Sequence, residues 1–476
     1  MSAVSEPRDD FPDRLSPMLV KELRQGLRAK AFIAVFLVLQ ALLGLILLAA
    51  TAGASSDRAG MAVSQVIFVF FALAVLVIQP LRGIAALSSE IKGNTIDLMV
   101  LTRLSSWRII VGKWTALVGQ SSLLVATIVP YLILRYYFGG MNLFAELLLV
   151  LLVFVLSAAL TAVTVGLSAS SSILVRGLIP LAGTVALTIS IFGVGFGGGL
   201  KELIEICSLE SSQHIARVAA FVFTTCYLGW HALSLGASLI APQAENHATL
   251  RRIVALISIA VTGGIFVWND ARFGELMFMY VTLGAPAIAL ALSEPQHLLS
   301  TVCAPFVRKG FIGRLAGRFL YPGWASAVAF TGLLTLLCGG TLLLLPDVGH
   351  DFSSDEIIVS LSFLGALLFP GLLTVLLGHK FKERFASFVL LLIASGVFAL
   401  VLGILSESLS EREFLWLFVW NPLVLTIMEN WSGTFSDDAL IAAGLAVNGI
   451  YFLLLFIKAF QAFRPIRETE RAILAE

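Results

Sequence analysis

The charges and helix-starting residues best placed to do chemistry lie together in Pro80–Lys113, PLRGIAALSSEIKGNTIDLMVLTRLSSWRIIVGK. The stretch carries five bases, Arg82, Lys92, Arg103, Arg108 and Lys113, against two acids, Glu90 and Asp97. Asn94 or Thr95 can cap a helix start, because their side-chain oxygens accept from free backbone N–H groups. Ile96, Met99 and Val100 then share one face at helical spacing. Ser105 or Ser106 can cap a second helix running through Ile109 and Ile110, and Gly93 permits a close turn between the two. The chemistry on offer is binding rather than reaction. Short capped helices with an apolar face and basic flanks suit a groove on a soluble protein. The same features also describe an amphipathic helix on a membrane surface, and from these residues alone both readings stand.

Catalytic constellations are missing. The chain has no G-x-x-x-x-G-K-[ST] phosphate loop; Gly112-Lys113-Trp114 lacks both the upstream glycine and the following Ser or Thr. H-E-x-x-H and G-x-S-x-G are also absent. The six histidines are scattered, and no His–acid pair sits at helical spacing within an apolar run. No catalytic residue and no metal ligand is therefore assigned. Four cysteines, Cys207, Cys226, Cys303 and Cys338, are far apart and form no C-x-x-C pair, so they read as buried, inert thiols. Ionisable groups inside a membrane would mark an ion or proton path. Here Glu146 and Glu275 sit at the ends of apolar runs, and His231 lies within one as a packed, hydrogen-bonding residue. Gln40, Gln79, Gln120 and Asn448 read as hydrogen-bonding groups between helices.

These residues are set in a chain of 476 residues that is 58% hydrophobic and only 13% charged, about half the charged share of a soluble domain. The class is an all-α polytopic membrane protein. A spanning helix needs about 20 apolar residues. Twelve such runs are read near 31–52, 61–80, 114–134, 144–168, 177–198, 218–241, 252–268, 273–292, 323–345, 356–378, 385–405 and 438–460. With both termini placed in the cytoplasm, all but six of the 31 Lys and Arg fall inside. The six outside are Arg58, Arg135, Lys201, Arg217, Arg272 and Arg412. A wrong span count would scramble that alternation from the error onward, so the positive-inside rule favours an even number of spans. The polar N-terminal 30 residues are too long and too mixed in charge for a signal peptide, and the first span is expected to stay as an anchor. The net charge of +1 gives no case for nucleic-acid binding.

Three further stretches stand out. Lys201–Ala220 follows a glycine-rich run and could lie as an amphipathic helix at the outer interface. Phe306–Trp324 spaces bases among aromatics and reads as an amphipathic helix leading into the ninth span. Phe414–Met428 is apolar but interrupted at Asn421-Pro422; the proline breaks a spanning helix, so a re-entrant or interfacial element is expected.

Two stretches resemble the ABC-2 type transporter permeases. Ser16–Lys30, SPMLVKELRQGLRAK, looks like the family's N-terminal interface helix with its P-x-x-x-K-E-L-R segment, matched by Pro17, Lys21, Glu22, Leu23 and Arg24, with Arg28 following. Glu90–Lys113 resembles the cytoplasmic segment between the second and third spans, whose pattern is roughly E-x-x-x-G-T-x-E-x-L-x-x-x-P-x-S-x-x-x-I-x-x-G-K. Glu90, Thr95, Ser105, Ile109, Gly112 and Lys113 fall into it, beside Gly93, Asn94, Asp97, Leu98 and Leu104. Gly93-Asn94-Thr95 replaces an adjacent Gly-Thr, Asp97 replaces Glu, and Arg103 replaces Pro. The likeness covers about the first 240 residues. It implies an interface helix at 1–30, a six-span permease unit at 31–245, and a second membrane unit of about six spans at 246–476. No copy of the docking segment occurs in the second unit, where only the basic loop His379–Arg384 holds a comparable place. The family's properties further imply docking of a separate ATPase subunit on the residues just named, with ATP and magnesium bound there and no cofactor on this chain. Export across a bacterial inner membrane follows from the same likeness, by one twelve-span chain or by a pair of permease chains. With the resemblance, docking is preferred over membrane-surface binding. An ion-coupled secondary transporter and a non-transporting membrane scaffold are the alternatives.

Overall fold

A computed structural model of the chain describes residues 17–52, 57–93, 105–136, 142–242, 245–268, 273–296, 298–342, 353–378, 383–409, 412–431 and 433–475. Among them no strand occurs. The reason is the solvent the sequence demands: within lipid every backbone N–H and C=O must be satisfied internally, and helices do this segment by segment. Twelve helices are long and apolar enough to cross a membrane. They are Lys30–Ala49, Val63–Ala85, Ser106–Tyr136, Leu143–Leu167, Leu174–Phe196, Ser212–Ile240, Ala248–Trp268, Gly274–Leu292, Trp324–Leu342, Ser354–Leu376, Arg384–Ser408 and Asp437–Leu474, called spans 1 to 12 below. Each overlaps one of the twelve apolar runs. The protein is an all-α polytopic membrane protein.

Three boundaries differ from the hydropathy reading. Span 3 begins at Ser106 rather than near 114, because Ser105 caps it and the polar lead-in continues as the same helix. Span 6 begins at Ser212, so Lys201–Ala220 is not one interfacial helix. It divides into the short helix Gly199–Cys207, a turn in which Leu209 takes a φ of 56°, and the first turns of span 6. The last helix runs unbroken from Asp437 to Ala475, past the end of its apolar stretch. Its tail is held by packing: Ile466 joins Cys303, Val307 and Tyr321 in a small core.

The chain divides into two compact units, Met1–Ile240 and Ala241–Glu476. In the first, Phe32, Leu39 and Leu43 of span 1, Ile67, Phe68 and Phe71 of span 2, Leu124, Ile128 and Leu132 of span 3, and Leu149 of span 4 form one core. Spans 4 and 6 meet through small residues, as membrane helices commonly do. A Cβ added to Gly166 would lie 2.1 Å from the Ala232 carbonyl oxygen, and one added to Gly236 would lie 2.8 Å from Gly166 Cα. Span 2 contains a wide π-helical turn, Leu73–Ile78, just before Pro80. Ser157 of span 4 donates a 2.7 Å hydrogen bond to the Val75 carbonyl within it. Outward-facing apolar side chains, such as Leu181, Val185, Ile189, Phe192 and Phe196 on span 5, supply the lipid-facing surface.

The second unit packs span 10 against span 12. Asn448 of span 12 donates to the Leu361 carbonyl at 3.0 Å, and Gln40 of span 1 likewise donates to Thr127 of span 3 at 2.7 Å. Both are interhelical bonds of the expected kind. Phe414–Met428 folds as two short helical pieces, Glu413–Phe418 and Leu423–Glu429, separated at Asn421-Pro422. Neither is long enough to cross. Asn421 is buried and exchanges two hydrogen bonds with Ser395 of span 11, at 2.8 and 2.9 Å.

Candidate functional site

The interface helix, Pro17–Leu27, lies along the first half of span 3. Helix starts and small residues make this possible. Gly26 leaves room for the Gln120 side chain: a Cβ there would lie 2.0 Å from Gln120 Nε2. Gly119 does the same for Leu23, at 3.1 Å from its Cδ2. Glu22 faces span 3 on this contact, while Lys21, Arg24 and Arg28 point to the surface. Pro17 opens the helix.

Three charges converge where the helix, the exit of span 2 and the entry of span 3 meet. Lys113 is 5% exposed, and its Nζ donates to Glu22 Oε1 at 3.0 Å and lies 2.8 Å from Glu90 Oε1. Residues far apart in sequence thus share one ammonium. Beside them Arg82 donates to Gln79 Oε1 at 3.0 Å, to Gln120 Oε1, and to the Gly26 carbonyl at 3.5 Å. Its guanidinium also stands 5.6 Å from the centre of the Phe32 ring. Burying a lysine is costly unless its charge is paired and hydrogen-bonded. Two carboxylates on one ammonium meet that need and fix the geometry of all three segments.

Not every residue read as part of the docking surface is at the surface. Ile109 is fully buried with Leu87, Val165, Leu233 and Ala237, and so belongs to the core that supports the site. Ser105 acts as a cap, its Oγ accepting from the Arg108 N–H at 3.4 Å. Gly112 is half-buried on span 3, and Gly93 is exposed at the turn after the short helix Ser88–Lys92. The backbone N–H of Leu87 donates to Ser168 at the end of span 4, at 3.3 Å, which ties this segment to the bundle. Asn94, Thr95, Asp97, Leu98 and Leu104 lie outside the described residues. The Glu90–Lys113 ion pair joins the short helix Ser88–Lys92 to the start of span 3.

The second unit holds a buried ion cluster of inverted composition that sequence reasoning missed. Arg251 and Arg252 open span 7, and Glu294 follows span 8. Arg251 Nη2 donates to Glu294 Oε1 at 2.9 Å, and Arg252 Nη2 to Glu294 Oε2 at 2.6 Å. Arg252 also donates to the carbonyls of Phe319, Tyr321 and Gly323, at 3.1, 2.6 and 3.0 Å. In sequence Arg251-Arg252 and Glu294 each merely flank an apolar run, and that position does not announce their pairing.

Other expectations come out unevenly. His231 is buried in span 6, with its Nδ1 3.1 Å from the Tyr227 carbonyl oxygen, as a packed residue. Glu146 lies in the first turn of span 4, 2% exposed and 3.4 Å from Ser64 Oγ. All four cysteines are free, but only Cys207 and Cys303 are buried; Cys226 faces outward. Burial pushes the Cys207 and Cys303 thiols up to about 11, which keeps them protonated and unreactive. Among the described residues no group of three or more His, Cys, Asp or Glu could hold a metal ion.

Against protein-family models, curated proteins and solved structures, the chain finds no match.

Proposed function

We propose that the chain is the membrane-spanning permease subunit of an ABC-2 type ABC transporter, exporting a substrate with energy from ATP hydrolysed on a separate subunit. One observation carries the reading. The two stretches that resemble this family, separated by the whole of spans 1 and 2, meet in the Glu22–Lys113–Glu90 triad. The ATPase subunit docks on residues 94–104 and on the exposed Lys21, Arg24 and Arg28. A push on Glu90 reaches the interface helix and span 3 together, since Glu22 and Glu90 share Lys113. ATP and magnesium bind to the partner, and this chain contributes the path through the bilayer. Whether one chain or two complete the path follows from how many ATPase subunits it holds.

The test is co-purification with an ATPase encoded beside it, followed by ATPase and transport assays in proteoliposomes. The expected result is a stable complex whose ATPase is stimulated by the permease, with stimulation lost in Glu90→Ala and Gly93→Leu. Flux by the chain alone, abolished by an ionophore, would replace this reading with an ion-coupled carrier. Partner binding with no flux under any energy source would leave a scaffold.

A further inference from the structure

Between spans 8 and 9 two short helices, Ser300–Val307 and Gly310–Leu320, are joined by a turn at which Gly310 takes a φ of 75°. From residue 295 to residue 346 the chain contains no Asp or Glu, yet it carries Arg308, Lys309, Arg314 and Arg318. The second helix has two unlike faces. Its back is fixed to the unit. Gly313 and Gly317 are buried there, and a Cβ at Gly313 would stand 2.1 Å from the Phe306 carbonyl oxygen. Thr249 donates to the Leu320 carbonyl at 2.9 Å, and Arg318 reaches Glu470 at 3.6 Å. Its front bears Phe311, Ile312 and Leu315, exposed at 73, 79 and 47%. Arg308 and Lys309 are exposed beside that front and Arg314 is half-exposed at its edge, with no carboxylate partner among the described residues. The helix lies directly before span 9, at the end of the unit where spans 7, 8, 9 and 12 are joined by Arg252, Glu294, Tyr321 and Glu470.

We infer that the front of Gly310–Leu320 is a binding surface for acidic phospholipid in the adjoining leaflet. An apolar stripe with bases on its flanks is the arrangement by which a helix lies in the membrane interface, its apolar side among acyl chains and its cations on phosphate groups. The charge complementarity selects the lipid. Three bases with no acid for about fifty residues favour an anionic headgroup over a zwitterionic one, by roughly fivefold in affinity per base. A soluble acidic partner would have to bury Phe311 and Ile312 as well as meet the bases, whereas a lipid surface offers acyl chains and phosphates together. The lipid surface stands apart from the ATPase-docking site, being in the other unit, and does not depend on the transporter reading.

Two measurements on the full chain test it. First, the purified protein is titrated with phosphatidylglycerol or phosphatidylcholine, and retained lipid is counted by native mass spectrometry. Phosphatidylglycerol is expected to be retained preferentially, and the triple variant Arg308→Gln, Lys309→Gln, Arg314→Gln to weaken that retention by a hundredfold or so while its unfolding temperature in phosphatidylcholine is unchanged. Equal retention by the variant overturns the inference. Second, a benzophenone amino acid at position 312 is irradiated in intact membranes. Phospholipid adducts are expected. Adducts to a second copy, to an ATPase subunit or to another protein would show a docking site for that partner instead.

Discussion

Lys113 is the residue on which the first unit's charge arrangement turns. Lys113→Met keeps most of the side-chain volume but leaves Glu22 and Glu90 facing each other without a counter-ion. Removing one partner of a buried ion pair costs about 3–5 kcal/mol; Glu22 is partly exposed, so the lower end is expected, read as a drop in unfolding temperature in detergent. Glu22→Gln with Lys113→Met should cost less than the sum of the two single changes, with coupling of about 1–3 kcal/mol. A cycle with no coupling would mean that the triad does not hold the helix. His247 makes a second residue-level prediction. Burial holds its imidazole below the usual histidine range, against the opposing pull of Glu245 at 3.2 Å. A folded-state pKa below the unfolded one means the unfolded chain binds more protons. Stability is therefore full above the unfolded histidine value, about 6.5, and is lost as pH falls through and below it. His247→Gln should flatten that acid-side loss in a pH series of melting curves. Little of this was legible beforehand. Glu22, Glu90 and Lys113 stand out in sequence only by likeness to a family pattern, because pairing across spans 1 and 2 is decided by packing. The Arg251–Arg252–Glu294 cluster was hidden for the same reason.

At the scale of elements the twelve spans and the break at Pro422 were readable, because length, hydropathy and the missing proline N–H act locally. The ends of the helices were less so. A polar lead-in such as Ser106–Lys113 can continue a helix when Ile109 and Ile110 are buried by neighbours, and nothing local announces those neighbours. The close pairing of spans 4 and 6 was equally silent, since a glycine in an apolar run looks the same whether or not a backbone passes it. Gly166→Leu should force the two spans apart, as the first added carbon already overlaps the Ala232 carbonyl. Overpacking of this kind costs about 1–3 kcal/mol or more. A loss of folded protein by size-exclusion chromatography, with Gly183→Leu on the open face of span 5 unaffected, is the expected contrast. Gly183 has nothing within 4 Å of an added Cβ.

Across the whole molecule, each unit gathers its amphipathic helix, and the span ends around it, onto a buried ion cluster. One cluster is built on a single cation, the other on a single anion. The sign of the central charge decides what each can tolerate: the first is broken by loss of a lysine, the second by loss of Glu294.

The interruption at Asn421-Pro422 has a consequence for how the chain enters a membrane. Phe414–Met428 is a 15-residue apolar run, a little short of the roughly 17 that span a bilayer. During synthesis an insertion machinery reads such a run before Ser395 is in place to satisfy Asn421. The polar pair therefore keeps the tally of crossings even by discouraging a thirteenth. Replacing it, Asn421→Leu with Pro422→Leu, should let a fraction of chains take that extra crossing. A fluorescent protein fused after Glu476, dark when exported through the general secretion route, would report it as a change in fluorescence per chain relative to the unaltered protein. Unchanged fluorescence would mean that Arg412 and Glu413, or Glu429, mark the boundaries of the run well enough alone.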